Sequence, residues 1–365
     1  MRTVADPIED LSAYTIAGRV TANPRGRYET DERSPRQGVA DGVDAEEIGF
    51  RRVFLSERWN LKEAGAILGG VGALTSRIGL ATGVVPAFAR HPMHAAALGA
   101  TMQAAYGPRF VLGLGRGGGG GAGYEHRDSF VALEDHVQII RRLWAGEQVD
   151  YSGPAGSFSR LKMDDRHEGP DPDIWFGTFG LDRGARTAAR VMDGVLLVPN
   201  LTPAATREAV DRLHRACERE GRDPASLRIA QCVVTAAELD DVETRQICHA
   251  RALTYLQAPG WGEALCGMNG WDQSELGRIR SHGSLQNHDA IADSVYHRSE
   301  LAEPAKAVPN AWMRESCAIG TVEECVVSLR AFRDAGADEI VTYGSTPAQN
   351  RAVAAAWSER RSTFA

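Results

Sequence analysis

Apolar positions along this chain alternate between two periods. Short apolar runs bounded by glycine, proline or charge predict buried strands over Ala13–Val20, Arg52–Ser56, Ile78–Val85, Arg109–Gly115, Ile174–Gly180, Gly194–Pro199, Arg228–Ala236 and Asp338–Tyr343. Between them apolar residues recur every three or four positions and predict helices. The clearest is Asp128–Leu143, where Phe130, Leu133, Val137 and Ile140 fall on one face. Others are expected over Gln37–Ile48, Ala64–Leu74, Pro92–Ala105, Arg183–Met192, Pro203–Glu220, Thr321–Ala335 and Gln349–Arg360. Strands alternating with helices give an α/β chain, and eight of them suit a closed (β/α)8 TIM barrel, although periodicity does not separate that from an open doubly wound sheet. Gly146–Gly169 reads as an excursion rich in glycine and charge. From Leu239 to Asn310 the pattern loosens for too long to be a plain connection, so an insertion follows strand seven. Its tryptophans, Trp261 and Trp271, with Trp312 just beyond, either cover a pocket or pack the insertion.

Composition narrows the class. With 365 residues, 43% hydrophobic and 24% charged, the chain reads as one globular domain, 1–365, with its insertion at about 239–310. A net charge of −7 argues against nucleic-acid and anionic-membrane partners. No apolar run approaches the roughly 20 residues of a membrane span. Met1–Asp10 is polar and acidic without an apolar signal core. Six cysteines lack CxxC spacing, so neither a disulfide framework nor a zinc site is expected, and the cytoplasm is the expected compartment. His91 and His94, spaced three apart around a proline, have no third ligand of shared logic, and no metal is expected.

The stretch that carries chemistry is Arg109–Gly117, a buried strand emptying into the glycine run Gly117–Gly121. Bare backbone amides at the carboxyl end of a sheet let a ligand approach closely. Several phrases around it resemble the luciferase-like superfamily of flavin and deazaflavin oxidoreductases. They are AEEIGFRRVFLSER (Ala45–Arg58), LTSRIGLATGVVP (Leu74–Pro86), RHP (Arg90–Pro92) and RFVLGLGRG (Arg109–Gly117). IIRRLWAGEQVDYSG (Ile139–Gly153), ARTAARVMDGVLL (Ala185–Leu197) and GTVEECVVSLRAFRDAGADEIV (Gly320–Val341) continue in the same order. The resemblance is to the branch that uses the deazaflavin coenzyme F420. It implies a TIM barrel with an insertion after strand seven, and a homodimer packed through the helices after strands two and three.

The resemblance also implies a site. Glu57 occupies the place of an acid that contacts the polar ring of the coenzyme; the alternative for it is a surface pair with Arg51 or Arg58. Gly83 and Val84 fall where the family carries a bulge, often with a non-prolyl cis peptide, that backs the ring. Gly115, Arg116 and Gly117 would flank the ribityl chain, and Thr178, Phe179, Gly180, Leu181 and Arg183 would cradle the phosphate at a helix N-terminus. His91 is the sole catalytic candidate among ten histidines, as a proton donor at the pocket mouth. The sugar-phosphate dehydrogenase of this branch keeps a histidine where this chain has Arg58 and a glutamate where it has Gly118. A guanidinium is a poor general acid, so a glucose-6-phosphate dehydrogenase reading is rejected.

The expected activity is hydride transfer between coenzyme F420 and a small organic substrate, with ring and substrate held face to face. A reduced-FMN monooxygenase and a non-catalytic flavin- or deazaflavin-binding protein are the alternatives. Glu57→Ala is expected to weaken coenzyme binding with little loss of stability.

Overall fold

The computed structural model describes residues 5–17, 33–58, 62–116, 129–285, 292 and 296–362. In chain order the elements begin with β1 (Leu11–Tyr14), α1 (Pro35–Ile48), β2 (Arg52–Leu55), α2 (Ala64–Leu74), β3 (Gly79–Thr82), β4 (Val85–Pro86), α3 (Pro92–Tyr106), β5 (Phe110–Gly115) and α4 (Phe130–Trp144). A hairpin follows, β6 (Val149–Gly153) and β7 (Gly156–Leu161), then β8 (Asp173–Thr178), α5 (Asp182–Val191), β9 (Gly194–Leu197), α6 (Pro203–Arg219) and β10 (Arg228–Ala237). Helices α7 (Asp241–Leu256), α8 (Trp261–Asn269), α9 (Glu275–Arg280), α10 (Arg298–Leu301) and α11 (Asn310–Ser316) lead to β11 (Cys317–Gly320), α12 (Val322–Asp334), β12 (Glu339–Tyr343) and α13 (Arg351–Ser362).

Eight parallel strands close a barrel in the order β1–β2–β3–β5–β8–β9–β10–β12, and β12 returns to β1 with Leu11 opposite Ile340. This is the TIM barrel. Strand residues alternate between two cores, as the period of two requires. Tyr14, Phe54, Ala81, Val111, Trp175, Leu196, Ala230 and Val341 fill the barrel, whereas Val53, Leu55, Leu80 and Leu112 join the larger core around it. Gly113 owes its place to packing: a Cβ there would stand 1.9 Å from the carbonyl oxygen of Thr82.

The amino-terminal pole is tied by charge. Buried Glu339 meets the Nε atoms of Arg52 and Arg228, each at 2.9 Å, and accepts from Ser12 Oγ at 2.5 Å. Burial alone would raise this carboxyl, but the two guanidiniums outweigh it and hold it below the usual carboxylate range.

Four features depart from the expected elements. Strand three is interrupted, β3 ending at Thr82 and β4 resuming at Val85 to pair with β5. The Gly146–Gly169 excursion contains the β6–β7 hairpin, whose Val149, Tyr151, Phe158 and Leu161 pack on the core, with a register shift between the Val149–Leu161 and Tyr151–Phe158 pairs. A short added strand, β11, pairs with the outer half of β10 from Val234 to Ala237. The first strand starts earlier than expected, at Leu11, and residues 18–20 of the expected run lie outside the described residues. All six cysteines are buried free thiols.

Candidate active site

The carboxyl ends of β2, β3, β5 and β8 carry the candidate residues at one mouth of the barrel, the catalytic face of this architecture. β2 runs out through Ser56 to Glu57, which is 5% exposed. Its Oε2 accepts the amide of Ala64, the first residue of α2, at 3.1 Å beside the N-cap Glu63, and its Oε1 accepts from Arg90 Nε at 3.3 Å. Arg90 Nη2 also bonds Glu57 Oε2 and Glu63. The partner of Glu57 is therefore Arg90, not Arg51, which turns to Glu339, nor Arg58. With the amide on one side and the guanidinium on the other, Oε1 keeps acceptor capacity for one further N–H.

Where strand three breaks, the Gly83–Val84 peptide is cis. The Gly83 carbonyl accepts from the Tyr14 hydroxyl at 2.7 Å and from Ser56 Oγ at 2.9 Å. Burial pushes the Tyr14 hydroxyl well above its ordinary range, so it stays protonated and donates. A side chain at Gly83 would collide with that hydroxyl, its Cβ falling 2.7 Å away. Val84 packs toward Gly177, where a Cβ would approach it to 2.8 Å. Glu57 N–H bonds the Val84 carbonyl at 3.2 Å, which joins acid and bulge into one unit.

Gly115 ends β5 opposite Pro86, and the Arg116 guanidinium stacks 4.2 Å above the Phe130 ring at the start of α4. Gly117, together with Gly118 to Gly121, lies outside the described residues. Beyond β8, Thr178 Oγ1 accepts from the Gly180 amide at 3.1 Å, and Gly180 takes φ +72° where L side chains are strained. Leu181 is the N-cap of α5 and supplies no side-chain bond, so first-turn amides are left for a ligand. Arg183 and Arg186 are exposed on that turn. Phe179 meets Trp261 edge-on at 6.1 Å, whereas Trp271 and Trp312 stack on each other at 4.6 Å as buried packing. Of the three tryptophans, Trp261 is the one whose ring meets a candidate site residue among the described residues.

His91 is exposed at the start of α3, where its Nδ1 accepts the Met93 amide at 3.2 Å. Its ring stands edge-on to Phe158 of the hairpin at 4.9 Å. Partial burial and neighbouring His94 push it below the usual imidazole range. It does not line the cavity described next.

That cavity, of about 200 Å³, opens between the ends of β1, β2 and β12 and the insertion helices α7 and α10. Tyr14 and Tyr343 form its aromatic floor, their centroids 4.5 Å apart, and the Arg251 guanidinium lies 5.0 Å over Tyr343. Tyr14, Arg90, Arg251 and Tyr343 were not readable as site residues from local pattern. The one sequence signal was the RHP phrase, which contains Arg90; the others meet across hundreds of residues.

Comparison with known proteins bears on this geometry. The family model described as luciferase-like monooxygenase matches residues 17–339. An F420-dependent glucose-6-phosphate dehydrogenase of Microbacterium testaceum is 32% identical over 209 residues, covering 53% of this chain. The match spans only 62% of that relative's length. A phthiodiolone/phenolphthiodiolone dimycocerosates ketoreductase of Mycobacterium tuberculosis is 26% identical over 306 residues, 81% of this chain and 78% of its own. Among solved structures, the coenzyme F420 dependent tetrahydromethanopterin reductase from Methanopyrus kandleri superposes with a TM-score of 0.72 at 16% identity, over 96% of this chain and 97% of that one. That last likeness is one of fold.

Proposed function

The chain belongs to the luciferase-like monooxygenase family, and on that premise we propose that it is an F420-dependent oxidoreductase acting on a small organic substrate. The observation that carries the proposal is the broken third strand, whose Gly83–Val84 bulge is pinned by Tyr14 and Ser56 and joined to Glu57. The dehydrogenase of Microbacterium testaceum named above is F420-dependent, which supports the deazaflavin over FMN.

The donor set fits such a coenzyme. Glu57 Oε1 has room for one ring N–H, Gly115 and Arg116 present backbone at the end of β5, and the uncapped turn of α5 suits a phosphate. When bound in its reduced form, the deazaflavin supplies a hydride from its C5 carbon. The protein's own task is positioning: the bulge sets the plane against which a ring rests, and Thr178 with Gly180 shapes the turn below the phosphate. Arg58 cannot serve as a proton donor at neutral pH, because its guanidinium does not give up its proton. His91 keeps a place as donor only from outside the cavity, through its Nε2. We further place the protein in the cytoplasm, consistent with six free thiols, and propose a homodimer packed through α2 and α3.

Titration of the purified chain with F420 and with FMN, followed by coenzyme fluorescence, tests the reading. Quenching of the deazaflavin with no response to FMN is expected; the reverse pattern assigns a flavin enzyme instead. Tight F420 binding without turnover over a broad carbonyl and alcohol panel would mark a binding protein.

A further inference from the structure

Arg90 stands where the bulge strand hands over to α3. β4 ends at Pro86, a single 3₁₀ turn spans Ala87–Ala89, and the Arg90 amide closes it on the Ala87 carbonyl at 3.4 Å. Pro92 is the first residue of α3, and a proline keeps the residue before it out of the helical region. His91 is accordingly extended, at φ −62° and ψ 139°, and its ring caps the helix. Arg90 is extended as well, at φ −127° and ψ 139°. The chain therefore turns into α3 only after Arg90, whose side chain reaches back to the acid that follows β2.

The guanidinium meets two carboxylates. Its Nε donates to Glu57 Oε1 at 3.3 Å and its Nη2 to Glu57 Oε2, a side-on fork, and Nη2 also reaches Glu63 Oε1. Burial would lower Arg90, but the bonds from both carboxylates outweigh it and raise it, so it stays charged. The two acids differ in setting. The Glu57 side chain is 3% exposed, whereas that of Glu63 is 49% exposed and caps α2 through the Gly65 and Ala66 amides. A carboxylate held by one donor can swivel, because its last torsion is soft. Donors on both oxygens from one planar guanidinium fix its plane. With the Ala64 amide also on Oε2, the direction left open at Oε1 is set by Arg90.

We propose that Arg90 is a positioning residue of the coenzyme site, which orients Glu57 so that Oε1 presents its open direction to a ring N–H. It acts through Glu57 and not on the coenzyme itself, and its role rests on the coenzyme reading above. The RHP phrase then has a physical sense: the proline fixes the turn, and the turn delivers the arginine to the acid of the neighbouring strand. Because Arg90 leaves from the bulge strand, the Glu57 acceptor and the Gly83–Val84 backing keep a fixed separation.

Fluorescence titration of four full-length chains with F420 tests this: wild type, Arg90→Lys, Glu57→Ala and the double variant. Arg90→Lys keeps the charge and loses the fork. It should weaken F420 binding by about tenfold where Glu57 is present, the scale of one lost charge-assisted contact. In the Glu57→Ala background the same change should cost less than about twofold, because no carboxylate is left to orient. Arg90→Gln in the same cycle should show the same coupling, and it carries the test if the lysine variant does not fold. The proposal is overturned if Arg90→Lys binds F420 as well as wild type does. It is equally overturned if the loss is the same with and without Glu57, as an arginine that only props the fold or touches the coenzyme would give. The four chains are titrated with FMN in parallel. A chain that binds FMN alone, with this coupling, upholds the positioning role and overturns the coenzyme reading; one that binds F420 without coupling does the reverse.

Discussion

Glu57 joins two roles in one carboxylate. It accepts the first amide of α2, from Ala64, and holds Arg90, while one lone-pair direction of Oε1 remains for a ligand. Its geometry puts a figure on the expectation that Glu57→Ala brings little loss of stability. Losing the acceptor of the Ala64 amide and one of the two carboxylates on Arg90, which keeps Glu63, should cost about 1–3 kcal/mol. That corresponds to a drop of roughly 1–4 °C in Tm for a chain of this size, readable by calorimetry. Glu57→Gln, which keeps an acceptor, should lose less. A second residue makes a pH-dependent claim. His136 is 2% exposed, burial pushes its imidazole down to about 4, and its Nε2 has no hydrogen-bond partner among the described residues. In the unfolded chain it titrates near 6.5, so between these values the unfolded state binds the extra proton. Stability should therefore fall as pH drops from 6.5 to 4, by up to about 1.4 kcal/mol per pH unit from this group. Urea unfolding across that range should show the slope in the wild type and its loss in His136→Leu. The role of Glu57 was readable from its place after strand two, but its partner was not. Arg90 stands 33 positions away and only the fold brings it to the carboxylate.

At the scale of elements, the third strand shows how backbone geometry serves the site. Gly83 and Gly113 are both enforced by contact, one by the Tyr14 hydroxyl and one by the Thr82 carbonyl. Gly113→Ala would drive a methyl against backbone that cannot yield, so it should fail to accumulate as folded protein, whereas Gly107→Ala has open space around its Cβ and pays only for its φ of +80°. Soluble yield of the two variants provides the check. Most elements were legible because their periods are clean: α4 keeps Leu133, Val137 and Ile140 on one buried face. The hairpin and β11 were missed for different reasons. β6 and β7 place half of their residues in solvent within a polar stretch, and β11 has four residues and borrows its ladder from β10.

Across the whole molecule, stability and chemistry occupy opposite poles. Glu339 with Arg52 and Arg228 ties the amino-terminal pole, while Glu57, the bulge and the cavity lie at the carboxyl ends. Glu339→Gln should therefore destabilise by about 3–5 kcal/mol, the cost of stranding buried partners, while coenzyme affinity at the other pole stays within about twofold. Denaturant midpoint and F420 titration on the same sample separate the two effects. Eight strand–helix alternations made an α/β chain legible and a barrel its natural count, while the family resemblance, not the periodicity, set it apart from an open sheet. The cavity was not, because it joins residues from Tyr14 to Tyr343 through the insertion, and no local pattern records such contacts. The central claim concerns what rests on the bulge, and a crystal structure of the chain with F420 bound measures that most directly. The account expects the deazaflavin ring against Gly83 and Val84, within hydrogen-bond reach of Glu57, with its phosphate at the first turn of α5. A ring seated elsewhere, or a structure in which FMN alone takes that position, would contradict it.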